Sequence, residues 1–237
     1  MNDKHILISD KNKTICDTLK SLGYKLIYTE CVDEFISYEQ NHADMQCIQV
    51  EDTVFILSNC KKLNNQLKTI TKNLIETESL AHGKYPHNVL LNAKVIGKNL
   101  IGKIDYLDKK LVNYCVDKGY NLINVKQGYS GCSILKITDN AVITTDESIY
   151  KALQNTEIEV LKISQNGIEL LGSKRGEQGL IGGASINLGE SILFFGDISK
   201  HEDYENIVKF CNSKNISINY IKDMNLTDIG SGVLLNI

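Results

Sequence analysis

Pairs of short apolar runs recur along the chain, each pair introduced by small or polar residues and divided by a polar turn. The fullest copy spans residues 128–146, where the segment Gly-Tyr-Ser-Gly-Cys-Ser is followed by two apolar runs. We call the segment that precedes the first strand of each hairpin its lead. The same order returns at residues 182–197 and occurs earlier at residues 42–58. Alternating apolar and polar positions between turn residues are typical of strands, so each copy predicts a β-hairpin. A weaker copy lies at residues 88–102.

Between the hairpins, apolar residues spaced three and four apart predict five amphipathic helices. Their apolar faces are Ile15, Leu19 and Leu22; Leu63, Leu67, Ile70 and Leu74; Leu107, Leu111, Val112 and Cys115; Ile149, Ala152 and Leu153; and Tyr204, Ile207, Val208 and Cys211. Asp10, Thr145 or Asp146, and Ser199 with Glu202 are the expected N-terminal caps. Further strands are predicted at residues 6–8, 24–29, 120–125, 158–163 and 216–221.

Recurrence at a roughly constant spacing predicts a repeat architecture. We divide the chain into five units in one domain, at about residues 10–60, 61–105, 106–146, 147–198 and 199–237. The last unit ends after one hairpin strand, residues 233–235, and the isolated strand at residues 6–8 can pair with it. Residues 1–9 would then close the five units into a ring without free sheet edges. The alternative is an ordinary α/β domain whose sequence echoes are coincidental.

Composition narrows the range of functions. The formal net charge is −3 and Arg175 is the only arginine, which argues against a nucleic-acid surface. The N-terminus has no apolar segment of a signal peptide and no run is long enough to span a membrane, so we expect a cytoplasmic protein with no membrane partner. The seven cysteines form no C-x-x-C pair, so we expect neither a disulfide framework nor a metal site. The glycines at residues 182–183 match no phosphate loop or dinucleotide motif, and no cofactor is predicted.

Five units that close into a ring resemble the pentein fold, a five-bladed, pseudo-symmetric α/β propeller found in guanidine-group-modifying enzymes. That superfamily includes arginine and agmatine deiminases, dimethylarginine hydrolases and amidinotransferases, together with a non-enzymatic ribosome anti-association factor. The resemblance is architectural and covers nearly the whole chain. It is closest to an uncharacterised clostridial-type branch, which is similar around residues 42–45 and 182–185.

The resemblance implies a cysteine thiolate that attacks a guanidinium carbon, a histidine in an H-x-D motif that moves protons, and carboxylates that hold the cation. His42 and Asp44 match the H-x-D motif. Cys132 is the candidate nucleophile, because it follows a glycine at a hairpin lead, where we expect a flexible, partly exposed position facing the centre of the ring. Asp228 would be the second carboxylate. The glycine-rich lead adds Gly183 and Ser185 as substrate-binding candidates.

Two departures from the family leave alternatives open. The familiar enzymes carry their nucleophile in the last unit, where this chain has Ser231 and no cysteine, and the glycine-rich H-C motif of the deiminases is missing. His42 and Asp44 can instead be a loop histidine and a turn acid, and Cys132 can be a buried small residue like Ala184. Asp197 is either another carboxylate of the site or a helix cap.

Two functions therefore remain. The first is a cysteine-dependent hydrolase or transferase that acts on a small cationic guanidino or amidine compound. The second is a non-catalytic ring that binds a ligand or a protein. The sequence does not determine the oligomeric state.

Overall fold

The chain folds into short strands and short helices, and the computed structural model describes residues 4–174 and 176–236. The strands are β1 (His5–Ile8), β2 (Lys25–Tyr28), β3 (Cys47–Val50), β4 (Thr53–Ile56), β5 (Leu74–Glu76), β6 (Lys94–Ile96), β7 (Asn99–Gly102), β8 (Asn121–Asn124), β9 (Ile134–Thr138), β10 (Ala141–Thr144), β11 (Glu159–Lys162), β12 (Glu169–Leu170), β13 (Ser185–Asn187), β14 (Ser191–Phe194), β15 (Ser217–Tyr220), β16 (Thr227–Asp228) and β17 (Gly232–Leu235). The α-helices are α1 (Lys13–Ser21), α2 (Ala43–Gln46), α3 (Lys61–Leu67), α4 (Lys109–Asp117), α5 (Ser130–Ser133), α6 (Glu147–Leu153) and α7 (Tyr204–Ser213). The fold is mixed α/β.

Four sheets share one plan, with strand orders β3-β4-β5, β6-β7-β8, β9-β10-β11 and β13-β14-β15. Two strands form an antiparallel hairpin, and the second of them pairs in parallel with a strand that follows a helix. A parallel pair needs a crossover connection, which α3, α4, α6 and α7 supply. The predicted hairpins and helices therefore form β-β-α-β units, each with one three-stranded sheet.

A fifth sheet is made from both ends of the chain, in the order β17-β1-β2. β1 pairs antiparallel with β17, Ile6 opposite Leu234, and parallel with β2. Ile6, Leu7 and Ile8 have no exposed surface, so this pairing buries the apolar run completely. The predicted pairing of the two terminal strands is confirmed.

The first strands of the five hairpins lie next to one another in the order β3, β17, β13, β9 and β6. Each begins after its lead segment; β3, β6, β9 and β13 end at a hairpin turn, whereas β17 is the last strand of the chain and pairs with β1. In two leads the chain makes a single helical turn that sequence periodicity did not predict, α2 before β3 and α5 before β9, and these turns contact each other. Lead segments far apart in sequence are thereby brought together.

Helix boundaries follow local hydrogen bonds more than the predicted signals. The side chain of Asn12, not Asp10, caps α1 by accepting the Ile15 N–H at 3.2 Å. Asp146 caps α6 as predicted, accepting from Ser148 and Ile149. The proposed box of Ser199 with Glu202 is wrong, because Ser199 lies in a 3-10 turn, Ile198–Lys200, before α7 begins at Tyr204.

Two further interpretations are resolved by the structure. Asp197 is a cap, since its side chain accepts the Ser199 N–H at 3.2 Å. Leu74 continues the spacing of α3 but lies in β5 opposite Val54. No helix among residues 4–174 and 176–236 combines the length and apolar character needed to cross a membrane.

Candidate active site

The structure brings His42, Asp44 and Cys132 together at the contact between α2 and α5. A ring nitrogen of His42, a carboxylate oxygen of Asp44 and the Cys132 sulfur all lie within 4.8 Å of one another. His42 is 5 %, Asp44 6 % and Cys132 2 % exposed. We call these three residues the lead cluster. The sequence nominated them from their repeat positions, and their chemical roles remain predictions.

Cys132 is not the flexible, partly exposed residue that the sequence suggested. Its turn is tightly packed: a Cβ on Gly182 would lie 2.6 Å from the Cys132 carbonyl oxygen. Burial, followed by the charges of Asp44 and Asp228, raises the pKa of the Cys132 thiol well above its ordinary value. Asp44 raises the pKa of the thiol by its charge, since neither of its carboxylate oxygens has a hydrogen-bond partner among the described residues. These effects favour the protonated thiol of Cys132 over the thiolate.

Asn92 connects the thiol to its surroundings and was missed by the sequence reasoning. Its Nδ2 donates to the Cys132 sulfur at 3.1 Å and to the Asp44 carbonyl oxygen at 3.2 Å. Its Oδ1 accepts the Gly131 N–H at 2.7 Å. Asn92 occupies the lead of the weak hairpin at residues 88–102, so the repeat register was a signal that could have identified it.

Three buried polar atoms of the lead cluster have no hydrogen-bond partner among the described residues: His42 Nε2 and both carboxylate oxygens of Asp44. Nearly all buried polar side-chain atoms in folded proteins have a partner. An unpaired buried carboxylate is especially costly. The arrangement therefore matches a ligand that offers positive charge and N–H donors to Asp44.

Asp228 belongs electrostatically to the same group of residues. β16 pairs in parallel with β12, which fixes its backbone, and its carboxylate accepts the N–H groups of Leu180 and Gly230, each at 2.8 Å. Burial raises the pKa of Asp228 from 3.8 to about 6, with His42 lowering it and Asp44 raising it. A cation bound beside Asp44 would favour the charged form of Asp228.

Gly183 is a backbone junction between the lead of β9 and the last unit. Its N–H donates to the Cys132 carbonyl at 2.9 Å, and its own carbonyl accepts the Ser231 N–H at 2.8 Å. A Cβ at this position would lie 2.0 Å from Asp228 Oδ1. Ser185 follows closely, but its hydroxyl donates to the Ile181 carbonyl at 2.6 Å. Substrate binding by Gly183 and Ser185 remains a prediction.

Glu39 is a third buried carboxylate near His42, and no sequence pattern indicated it. Asn88 Nδ2 donates to Glu39 Oε2 at 2.8 Å and to the Tyr129 hydroxyl oxygen at 3.0 Å. Burial raises the pKa of Glu39, while His42 lowers it. Glu39 precedes His42 in an irregular segment, where periodicity gives no information about burial.

A cavity of about 760 Å³ lies along the first strands of the hairpins. Asp44, Lys94, Lys136, Ser185 and Ser231 are among its lining residues. Asp44 is the member of the lead cluster that lines it; His42 and Cys132 are not among its lining residues. Burial lowers the pKa of Lys94, against the opposing effects of Asp44 and Cys132. The cavity has the volume of a small-molecule site.

The lead cluster also has the donor types of a transition-metal site: imidazole, carboxylate and thiolate. The expectation that no metal binds is untested, and metal analysis of the purified protein would test it.

Comparison with solved structures defines the class of fold. The chain is similar to a dimethylarginine dimethylaminohydrolase in adduct with S-methyl-L-thiocitrulline, at 6 % identity and a TM-score of 0.62 over 98 % of this chain and 99 % of that one. It is similar to the agmatine deiminase of C. jejuni, at 10 % identity and 0.56 over 98 % and 93 %. It is also similar to the inosamine-phosphate amidinotransferase of Streptomyces griseus, at 9 % and 0.56 over 94 % and 78 %. The chain therefore shares the fold of these proteins, the pentein fold.

Within that fold, the sequence belongs to a family of unknown function, DUF6873, whose model matches residues 7–233. No curated protein sequence matches the chain. At identities of 10 % or less the structural similarities establish the fold alone, and the clostridial-type branch remains a prediction.

Proposed function

We propose that this protein is a cysteine-dependent enzyme that acts on a small guanidino or amidine compound, as a hydrolase or an amidinotransferase. The observation that carries the proposal is the lead cluster, in which a thiol, an imidazole and an unpaired carboxylate meet in a buried site. The known activities of the structural neighbours, which include hydrolysis, deimination and amidino transfer, support the same chemistry.

The architecture in this proposal is one domain of five units, forming a five-bladed propeller with residues 1–9 closing the ring. The sequential contacts of β3, β17, β13, β9 and β6 support it, as does the pairing of β1 with β17. Its location is cytoplasmic, and neither nucleic acid nor a membrane is a partner. The unit boundaries are those given above, near residues 10, 61, 106, 147 and 199.

Asp44 and Asp228 hold the cation in this proposal. A guanidinium group presents N–H donors in a plane and can bind a carboxylate through two of them. Both oxygens of Asp44 are available for such a pair. Burial first, and then the charges of the two carboxylates, raise the pKa of Cys132, so a cation that offsets those charges lowers it again in part. Substrate binding thus promotes formation of the thiolate.

The reaction then follows from the positions of the remaining groups. The Cys132 thiol gives its proton to His42, the thiolate attacks the guanidinium carbon, and the departing amine takes that proton from His42. The covalent thiouronium intermediate is released by attack of water, with His42 accepting its proton, or by attack of a second amine in a transferase. Asn92 Nδ2 holds the sulfur in place.

Turnover of a guanidino and amidine panel tests the proposal, with wild type, Cys132→Ala and His42→Ala compared. Cys211→Ala is the matched control, because Cys211 is equally buried but lies in α7. We expect activity in wild type and the control, and a loss of about 10³-fold or more in the other two. Equal activity of Cys132→Ala and wild type, or inactivity of all variants across the panel, would overturn the assignment.

A non-catalytic binding module is the second candidate, and the burial and raised pKa of Cys132 favour it. A pure binder would show saturable binding of guanidino compounds without turnover. Amidine electrophiles that form stable thioethers distinguish the two, because only the enzyme should add their mass at Cys132 after a brief exposure. Site-resolved mass spectrometry is the readout.

A further inference from the structure

The polar groups of the 760 Å³ cavity are mostly committed to partners within the chain. Asn187 Nδ2 donates to the carbonyls of Lys136 and Ile137 at 2.9 and 3.0 Å. The Ser185 hydroxyl donates to a backbone carbonyl at 2.6 Å, and the Ser231 hydroxyl to the Ser185 carbonyl at 2.9 Å. These groups shape the wall but have little capacity left for a ligand.

Two charged groups in the same cavity are not committed in this way. Asp44 has no partner for either carboxylate oxygen among the described residues. Lys94, at the start of β6, forms no ion pair within that part of the chain, and its ammonium donates only to the Gly131 carbonyl, at a long 3.4 Å. Lys94 is half-buried, so its charge is only partly hydrated.

Lys136, by comparison, is a lysine of the same cavity whose charge is paired with a carboxylate. It also lines the wall, but its ammonium lies 2.6 Å from Asp139 Oδ1. The difference identifies Lys94 as the cation that a ligand can use. A cavity with one uncommitted anion and one uncommitted cation is complementary to a molecule that carries both charges.

Resting on the proposed function, we propose that the substrate is a guanidino acid: its guanidinium binds Asp44, and its carboxylate binds Lys94 in the same cavity. Carboxylate-free guanidines, such as agmatine, leave the Lys94 ammonium without a counter-ion and bind more weakly. Lys94 is thus a specificity residue, and the cavity is where the non-reacting part of the substrate lies. The reacting carbon stays beside Cys132, because the donor atoms of Asp44 and Cys132 lie within 4.8 Å of each other.

The test uses two matched pairs that differ by a carboxylate: arginine against agmatine, and 4-guanidinobutyrate against propylguanidine. Dissociation constants are measured by calorimetry on full-length Cys132→Ala protein, so that turnover does not interfere. The same measurements are made with Lys94→Met, Lys94→Arg and Lys136→Met added to that background. Thermal melting confirms that each variant is folded.

With Lys94 intact, at least one acid should bind about tenfold or more tightly than its carboxylate-free partner. That ratio should fall toward one in Lys94→Met, and should persist in Lys94→Arg and Lys136→Met. An equal affinity within both pairs, a ratio unchanged by Lys94→Met, or an equal loss in Lys136→Met would overturn the proposal.

The design separates this inference from the proposed function. If wild type turns over carboxylate-free guanidines as well as it does the acids, the function stands and the guanidino-acid specificity is wrong. If guanidino acids bind through Lys94 but wild type converts none of them, the specificity stands and the catalytic function is wrong. If no guanidino compound binds, both are wrong.

Discussion

Asp44 and Asp228 are buried carboxylates beside His42, but their surroundings differ. Asp228 accepts two backbone N–H groups, whereas Asp44 has no partner for either oxygen among the described residues. A buried charge that lacks a partner destabilises the folded state by several kcal/mol. A bound cation should therefore stabilise Asp44 more than Asp228. A ligand that binds Asp44 should raise the free energy of unfolding of the protein.

Asp228 should make the unliganded protein less stable as the pH rises. Its pKa is raised from 3.8 to about 6 in the folded state, so between these values the folded protein binds more protons than the unfolded chain. The stabilisation is complete below about pH 4 and is lost as the pH rises through about 6. The two pKa values correspond to about 3 kcal/mol. We expect the free energy of unfolding of wild type, minus that of Asp228→Asn, to fall by about this amount between pH 4 and pH 7.

Urea unfolding at a series of pH values measures this difference, and constant effects of the lost hydrogen bond cancel from its slope. Asp139→Asn is the control with the opposite sign, because Lys136 lowers the pKa of Asp139. The contribution of Asp139 should therefore be lost only as the pH falls below about 4, and should not decrease between pH 4 and pH 7. If the difference in free energy of unfolding between wild type and Asp228→Asn did not change with pH, Asp228 would be fully ionised at acidic pH and unaffected by the charge of Asp44.

At the residue scale, the repeat register predicted more of the site than residue chemistry did. His42 and Asp44 were nominated because they match the H-x-D motif and open a repeat, and Cys132 and Asp228 because they occupy related positions; the four interact electrostatically. The exposure of Cys132 was predicted wrongly, because a sequence does not show how closely two leads pack. Glu39 was missed because it comes from an irregular segment.

At the scale of elements, the leads are held together by backbone contacts that tolerate no side chain. Gly183 bonds to both Cys132 and Ser231 through its main chain. Gly230, with φ of 80°, has its missing Cβ 2.3 Å from the Cβ of His42. Glycine at these points allows the leads to approach closely enough to assemble the lead cluster.

Gly183→Ala should therefore destabilise the protein by about 3 kcal/mol, the upper range for overpacking. The added methyl group would meet the Asp228 carboxylate at 2.0 Å, and two backbone hydrogen bonds prevent that carboxylate from moving away. Gly102→Ala is the matched control, because its closest contacts would be side-chain carbons at 3.1 Å. It should cost about 1 kcal/mol or less. Guanidinium chloride unfolding compares them, and equal losses would show that Asp228 is not fixed.

Element prediction succeeded where alternation and length agreed, and failed where local hydrogen bonds competed. The strands at 6–8, 120–125 and 158–163 were found within a few residues of their ends. Ser199 looked like a helix cap, but its hydroxyl donates to Asp197 and forms part of a separate turn. Leu74 kept helical spacing beyond the end of α3, because spacing alone does not detect pairing with Val54.

At the scale of the molecule, two incomplete features of the sequence predicted how the two ends of the chain pair. The apolar run at residues 6–8 had no hairpin partner nearby, and the last hairpin lacked its second strand. Their pairing follows because a fully apolar strand must be covered and its edge removed. The order in which the first strands of the hairpins lie next to one another was not predictable in the same way, since it depends on packing between units.

Circular permutation tests this pairing of the chain ends, and we expect the protein to tolerate conversion of the fifth sheet into an ordinary hairpin. In the permutant, residues 1–3 and 237 are omitted, a short glycine-rich turn joins Asn236 to Lys4, and the chain opens between Gly189 and Glu190. His5 lies opposite Leu235, so the new turn spans adjacent strands, and a Cβ on Gly189 would meet nothing within 4 Å. The melting temperature should stay within about 5 °C of wild type.

Opening between Val142 and Ile143 instead cuts a buried strand and should prevent folding. If the first permutant also failed, while the unpermuted chain from Lys4 to Asn236 still folded, the fifth sheet would depend on free chain ends rather than on strand pairing.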